Sequence, residues 1–459
     1  MIPFVGPSYT LNTRAADVQR TVGMYPAPVE SGSGKAAFML AAVPGLVTFC
    51  DTMTGIGRGC FELNGFGYCV VGNRLYRIST DGAASDIGTL VSNAGPVEID
   101  ANSNELFLVD GITGYTFNFA SEVFVAASRV SDIGGSKRTA YLDQYAIYAP
   151  DGSQFYVSGL GDAAAIDALD FASAEARPDK LISFLVCNRQ LYLLGAKSAE
   201  VWLNTGGSDF PLSRYEGMVM SVGCLAPYSA RVLNGAPVWL GSDESGQGSV
   251  WMAQGYQPKR ISTRSIEEAF KRSTDLTLAT AYTHQWRGSY FYCINLPGLD
   301  TTFCYDALSQ SWHERAELSN GDHSQHRVMG CMSLGGHDLA LGSDGVLYRW
   351  DAETNNNAGD TLLRERVSPH NATMESQRQF FGAFEVDCDR GLGGVVLMRY
   401  SNDGGATWCD WKQRSLGELG HYRQRLIWNC NGSARDRVWH VRCTDDVPFN
   451  IVHAFSEMA

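Results

Sequence analysis

No stretch of the chain approaches the ~18 consecutive apolar residues of a membrane-spanning helix. The opening residues, Met1-Ile2-Pro3-Phe4-Val5-Gly6-Pro7, lack the basic and long apolar regions of a secretory signal. The twelve cysteines include no C-x-x-C pair. Most sit inside apolar runs, as Cys69 does in Tyr68-Cys69-Val70-Val71 and Cys187 in Leu185-Val186-Cys187. They are expected to be reduced, small core residues of a cytosolic product rather than disulfides. Basic charge is scarce: 36 Lys and Arg face 49 Asp and Glu, for a net −13. A protein that grips the DNA backbone needs a basic face, so tight DNA binding is not expected. An acidic wall past which DNA slides is compatible with this charge.

What is abundant is glycine, at 49 residues, and aromatic residues, at 11%. Glycine turns between short aromatic runs favour strands over helices. At 459 residues, two or three domains are expected. Short apolar runs recur through the middle of the chain, among them Glu105-Leu106-Phe107-Leu108-Val109, Gln190-Leu191-Tyr192-Leu193-Leu194 and Ser289-Tyr290-Phe291-Tyr292-Cys293-Ile294. Turn pairs such as Asp81-Gly82, Asp110-Gly111, Asp151-Gly152 and Asp344-Gly345 follow many of them. The repeat of roughly 35–55 residues is the span of one four-stranded propeller blade. Residues 51–355 are therefore read as a β-propeller of six or seven blades.

One segment breaks the pattern. In Ser265-Ile266-Glu267-Glu268-Ala269-Phe270-Lys271-Arg272, Ser265 and Glu268 have the spacing of a capping box. Glu267–Lys271 and Glu268–Arg272 are spaced to pair along a helix. This predicts an inter-blade helix. After the polar loop Asn355–Asp360, residues 356–459 carry longer strands. Apolar and acidic residues alternate in Phe384-Glu385-Val386-Asp387-Cys388-Asp389, and similar alternation marks Leu426–Cys430 and Val438–Cys443. An antiparallel β-sandwich is expected here. Residues 1–50, too short to fold alone, are expected to join it, because chain ends in domains tend to lie close together. The fold class is thus all-β, a propeller plus a sandwich built from both chain ends.

Ser401-Asn402-Asp403-Gly404-Gly405-Ala406-Thr407-Trp408 fits S-x-D-x-G-x-T-W, the Asp box of sialidases and other propellers. Its residues Ser401, Asp403, Gly405, Thr407 and Trp408 have a mechanical role. Asp403 can accept from nearby backbone N–H groups, the glycines can take positive φ, and Trp408 can cover the turn. It marks a hairpin turn, not a catalytic centre. A wider ordered set resembles a family of short-tailed phage tail proteins. The set includes Gln19–Pro26, Ser31-Gly32-Ser33-Gly34-Lys35, Pro44-Gly45-Leu46, Ser262–Glu267, Trp312-His313-Glu314-Arg315, Gly345–Arg349, Ser401–Trp408, Gly417–Gly420 and Arg435–Val438. The family is the packaged-DNA stabilisation protein, also called tail accessory factor or tail hub. The resemblance implies a non-enzymatic ring, usually of six copies, in the virion tail, assembled in the cytoplasm of a bacterial host. The ring would lie beneath the portal and its adaptor, extend the channel for genomic DNA and retain it without sequence-specific binding. It would also seat the tail needle and tailspikes or fibres. No cofactor or membrane insertion belongs to that role.

Other chemistry is weaker. Asp322-His323-Ser324-Gln325-His326 places two histidines beside a carboxylate, but its polar flanks favour a solvated loop over a metal site. Gly32-Ser33-Gly34-Lys35 is similar to a P-loop yet has Val29 for the upstream glycine and Ala36 for Ser/Thr. Gly241-Ser242-Asp243-Glu244-Ser245-Gly246 has the wrong spacing for a nucleophile elbow. A glycan- or receptor-binding propeller, or a sialidase-like glycosidase, is the alternative. The glycosidase needs arginines converging on a substrate carboxylate plus a nucleophile and an acid, with tyrosine as the known exception to paired carboxylates. Arg364, Arg366, His370 and Arg378 cluster past the domain boundary. They are either a solvated face or a docking surface for an acidic partner ring. Trp408 and Trp411 could meet another subunit or simply cap the hairpin, the latter being favoured.

Overall fold

The structure is a computed structural model. It describes residues 2–458 except 175, 176, 178, 208, 243–245 and 373–376, so the middle of the Gly241–Gly246 segment lies outside the described residues. Antiparallel four-stranded sheets form at Gly57–Thr89, Glu98–Ala127, Thr139–Ser173 and Leu181–Met220, and a five-stranded one at Gly223–Arg260. A sixth blade spans Thr280–Ser319 and a seventh Val328–Asp351. The innermost strands touch in a closed cycle, the last blade's Val328–Leu334 lying against the first blade's Gly57–Leu63. The propeller therefore has seven blades. Apolar residues alternate onto the faces between blades, so each neighbouring pair shares a core, such as Tyr68, Leu75, Leu106 and Phe117 between the first and second.

The turns follow the chemistry read in the sequence. Gly82, Gly111, Gly152 and Gly345 all have positive φ. At Gly345 the need is steric as well, since a Cβ would lie 2.2 Å from the Gly55 carbonyl oxygen. The helix forms at Arg264–Phe270, but its cap is Thr263, whose hydroxyl accepts from the Ile266 N–H, not Ser265. Ser265 is diverted to the backbone of Thr10, with which it exchanges two hydrogen bonds. Glu267 turns inward to Arg260 and Ser262, and Glu268 pairs with Arg264, so neither expected helix pair forms.

The C-terminal strands make a two-layer sandwich. One layer runs Met24–Pro28, Phe38–Ala42, Ile451–Met458, Gln379–Cys388 and Leu426–Asn429. The other runs Val18–Val22, Arg364–Val367, Asp436–Cys443, Val395–Ser401 and Lys412–Ser415. Phe4, Met24, Leu40, Phe384, Trp428 and Trp439 fill the space between, with Phe384 and Trp439 stacked at 4.2 Å. Both chain ends therefore contribute.

The division expected at residue 50 needs correction. Gly45–Cys50 leaves the sandwich and pairs with Leu347–Asp351 as the outer strand of the seventh blade. That blade lacks a local fourth strand, and an unpaired edge at the closing seam would expose backbone donors and acceptors. The loop after the propeller is also held: Asn357 pairs with Leu46 and is fully buried. Val18–Val22 bridges the two domains, pairing parallel with Ser311–Ser319 of the sixth blade and antiparallel with Arg364–Val367 of the sandwich. Leu46 is fully buried on the closing strand. Leu46→Ala should lower stability by about 2–5 kcal/mol, the usual cost of a core cavity, as read by guanidinium unfolding.

Candidate functional site

The Asp-box turn joins Val395–Ser401 to Lys412–Ser415. The Ser401 hydroxyl donates to Asp403 Oδ1 at 2.6 Å and accepts from the Gly405 N–H at 2.8 Å. Asp403 accepts from the Thr407 N–H at 2.9 Å and the Thr407 hydroxyl at 2.6 Å. These bonds from Ser401 and Thr407 hold its carboxyl down at about 2. Gly404 and Gly405 take φ of +66° and +80°. Trp408 and Trp411 lie against His440 at 5.3 and 4.9 Å, and both cover the Arg399 guanidinium, at 4.9 and 4.3 Å. The turn is self-satisfied, and its aromatic side faces its own sheet.

Arg364 and Arg366 are not a docking surface. Both are fully buried. Arg364 donates to the carbonyl oxygens of Val447 and Asp445. Arg366 donates to Phe4 O at 2.6 Å, Pro7 O and Thr21 Oγ1 at 2.8 Å, and Gln19 Oε1 at 2.9 Å. It pins the N-terminal segment to the sandwich, and a charge spent on internal carbonyls cannot steer a partner. His370 sits between Asp436 Oδ2 at 2.6 Å and Arg14 O at 2.7 Å. Arg378 is exposed and donates to Ser433 Oγ. The four residues do not form one surface.

The solvated-loop reading of Asp322–His326 also changes. Asp322–Gln325 is a strand that ends before His326, and the two histidines part company. His326 is buried, stacked on Trp350 at 5.8 Å. His323 enters a buried network at the domain junction. There Arg20 Nη1 donates to His323 Nδ1 at 3.0 Å, leaving the ring proton on Nε2, 3.2 Å from Glu365 Oε2. Arg442 Nε donates to Glu365 as well, and Arg20 also pairs with Glu314 at 2.6 Å. Burial alone would raise the Glu365 pKa, yet the nearby His323 and His440 rings and the Arg442 charge hold it well below the usual range. Neither the buried arginines nor this network carries a local sequence signal, because their partners lie far off in the chain, with 77 residues between Glu365 and Arg442 and 362 between Arg366 and Phe4.

The propeller axis holds the other polar cluster. A cavity of about 400 Å³ is lined by inner strands of all seven blades. Arg138 Nη1 and Arg231 Nη2 both reach Glu98 Oε1, at 2.8 and 2.9 Å. Arg58 lines the cavity too, with its guanidinium held by Gly72 O, Ser92 O, Ala94 O and Gly95 O. Burial pushes the Asp100 carboxyl up to about 6, against N–H bonds from Tyr141 and Ala101. Among the described residues, no group of three or more His, Cys, Asp or Glu is placed to hold a metal, and no helix is long and apolar enough to cross a membrane.

Comparison with known proteins follows this division of the fold. Residues 18–354 match the family model of the bacteriophage P22 Gp10 β-propeller, and residues 367–459 that of the bacteriophage P22 Gp10 β-sandwich. The chain belongs to the bacteriophage P22 Gp10 family. The P22 Gp10 family comprises the tail hub, or DNA stabilisation, proteins of short-tailed phages, so this is a phage structural protein. The first P22 Gp10 match begins at Val18, the strand that bridges the two domains, and takes in the closing strand Gly45–Cys50. No curated protein matches the chain in sequence. Similar solved structures include BamB from Moraxella catarrhalis, at 12% identity and TM-score 0.41, covering 73% of this chain and 96% of that one. The WD40 propeller domain of Doa1 is similar at 10% identity and TM-score 0.41, covering 68% and 96%. The N-terminal domain of Nup159 is similar at 8% and 0.40, covering 75% and 98%.

Two outcomes are expected. Arg366→Met strands four acceptors, of which Phe4 O and Thr21 Oγ1 are buried, and should cost about 3 kcal/mol in chemical unfolding, with no need of a partner to reveal it. Asp403 has a folded pKa below its unfolded one. Its contribution should be complete above the ordinary carboxylate range and fade as pH falls through about 2. Amide exchange at Thr407, protected at pH 5, should therefore accelerate in the Asp403→Asn chain at that pH.

Proposed function

We propose that this protein is a tail hub: a closed ring of identical chains, six in the simplest case, below the portal and its adaptor. The ring extends the channel for the genome, helps retain packaged DNA and seats the tail needle and tailspikes or fibres. The observation that carries this reading is the match of both family models, in order, to the propeller and the sandwich. A head-to-tail contact that closes on itself is the physical requirement for such a ring. The net charge of −13 suits a conduit wall, since like charge suppresses adhesion of the DNA backbone.

The propeller axis is not that conduit in this reading. A cavity of about 400 Å³, crossed by the Glu98 pairs with Arg138 and Arg231, has the size of a small-molecule site. DNA would pass between copies, along the ring's own axis. Immunogold electron microscopy of purified virions with an antibody to this chain tests the assignment. Label at the neck, between portal and distal tail, is the expected result. Label confined to spike or fibre tips, or no label on virions, contradicts it.

A further inference from the structure

We propose that the cavity on the propeller axis is a binding site for a small oxyanion, a carboxylate or a phosphate group, held by Arg138 and Arg231. This inference does not depend on ring assembly.

The geometry is that of a site with one weak internal ligand. Arg138 enters from the third blade and Arg231 from the fifth, and both guanidiniums converge on the same oxygen, Oε1 of Glu98 from the second. A planar guanidinium presents five donors and pairs best with two acceptor oxygens side by side. Arg231 also donates through Nε to Ala281 O at 2.8 Å and through Nη1 to Ala230 O at 3.1 Å, so the unused donors are those of Arg138. Arg138 is 7% exposed, and its Nε has no acceptor. Burial pulls its pKa down to about 10 despite Glu98, so its charge is only partly compensated where it lies.

Charges from every strand that faces the cluster set its balance. Three guanidiniums, Arg58, Arg138 and Arg231, meet two carboxylates, Glu98 and Asp100, in the lining. Arg58 is committed to backbone carbonyls and to Ser92, through which it reaches Asp110. Asp100 is turned to the backbone N–H groups of Tyr141 and Ala101. The Tyr228 and Tyr282 hydroxyls and the Cys60 and Cys331 thiols add no charge near neutral pH, burial holding each above its ordinary value. At the centre the charges of Arg138 and Arg231 face the Glu98 carboxylate, which leaves a net positive charge in a walled space.

Access is also built in. A second cavity of about 310 Å³ shares Arg58, Pro96, Tyr228, Thr280 and Met329 with the first and is edged by Ile56 and Leu278, which are 48% and 62% exposed. A ligand would cross this apolar mouth and place its oxyanion at the arginines beyond, with Tyr228 at the boundary. Both volumes suit a body the size of a monosaccharide.

Isothermal titration of the full chain with sodium glucuronate, sodium phosphate and glucose tests this and separates the sources. Uptake of glucuronate but not glucose supports a sugar-acid ligand, and uptake of phosphate alone supports a phosphorylated or inorganic one. Glu98→Gln removes the internal competitor and should tighten binding about tenfold. Arg231→Met should weaken it by about tenfold or more. If Arg231→Met fails to fold, Glu98→Gln alone decides. Neither anion binding to the wild-type or Glu98→Gln chain overturns the proposal. So does an affinity that Glu98→Gln leaves unchanged or weakens.

Discussion

Closure of the propeller by the N-terminal strand is the constraint on which the rest of the structure depends. Blade seven runs out of chain at Asp351, and Gly45–Cys50, more than 290 residues earlier, supplies its outer strand. This pairing ties the last sheet to the segment that leads into the first blade, and without it the outer edge of blade seven would be left unpaired. The same N-terminal segment, a few residues before, is the shared strand of the sixth blade and the sandwich. Propeller and sandwich are thus joined by a strand inside a sheet, not by a linker. The Glu365 network and the Arg366 clamp lie beside that strand, where buried charges need fixed partners.

Much of the fold was legible because β-structure writes itself locally. Alternation in Phe384–Cys388 predicts its buried and half-buried faces residue by residue, and Asp-Gly pairs mark turns where only glycine is comfortable. The Asp box announces its own hydrogen bonds, since Ser401, Asp403 and Thr407 need no distant partner. What stayed hidden depends on pairing across the chain. Gly45–Cys50 reads like any strand, and nothing in it names Leu347–Asp351. Arg364 and Arg366 read as a basic surface because charge is usually solvated. Their burial rests on carbonyls of Phe4, Pro7, Asp445 and Val447, invisible until the two ends meet. His323 and His326, three apart, read as one loop but have different surroundings, because the strand that carries His323 to Glu365 ends before His326, which stacks on Trp350.

For function, the consequence is mechanical. A sheet shared between the two domains resists shear between them better than packed surfaces alone. In the proposed ring, the acidic balance and a propeller axis crossed by the Glu98 ion pairs favour a DNA path outside the individual subunit. The candidate oxyanion site is the exception to this purely structural picture, since it gives one chain a chemistry of its own.

The central claim is that the N-terminal strands make propeller and sandwich one cooperative body. Differential scanning calorimetry of the isolated full chain tests it most directly. The account predicts a single transition whose calorimetric and van't Hoff enthalpies agree. Two separate transitions, with the sandwich melting independently of the propeller, would contradict it.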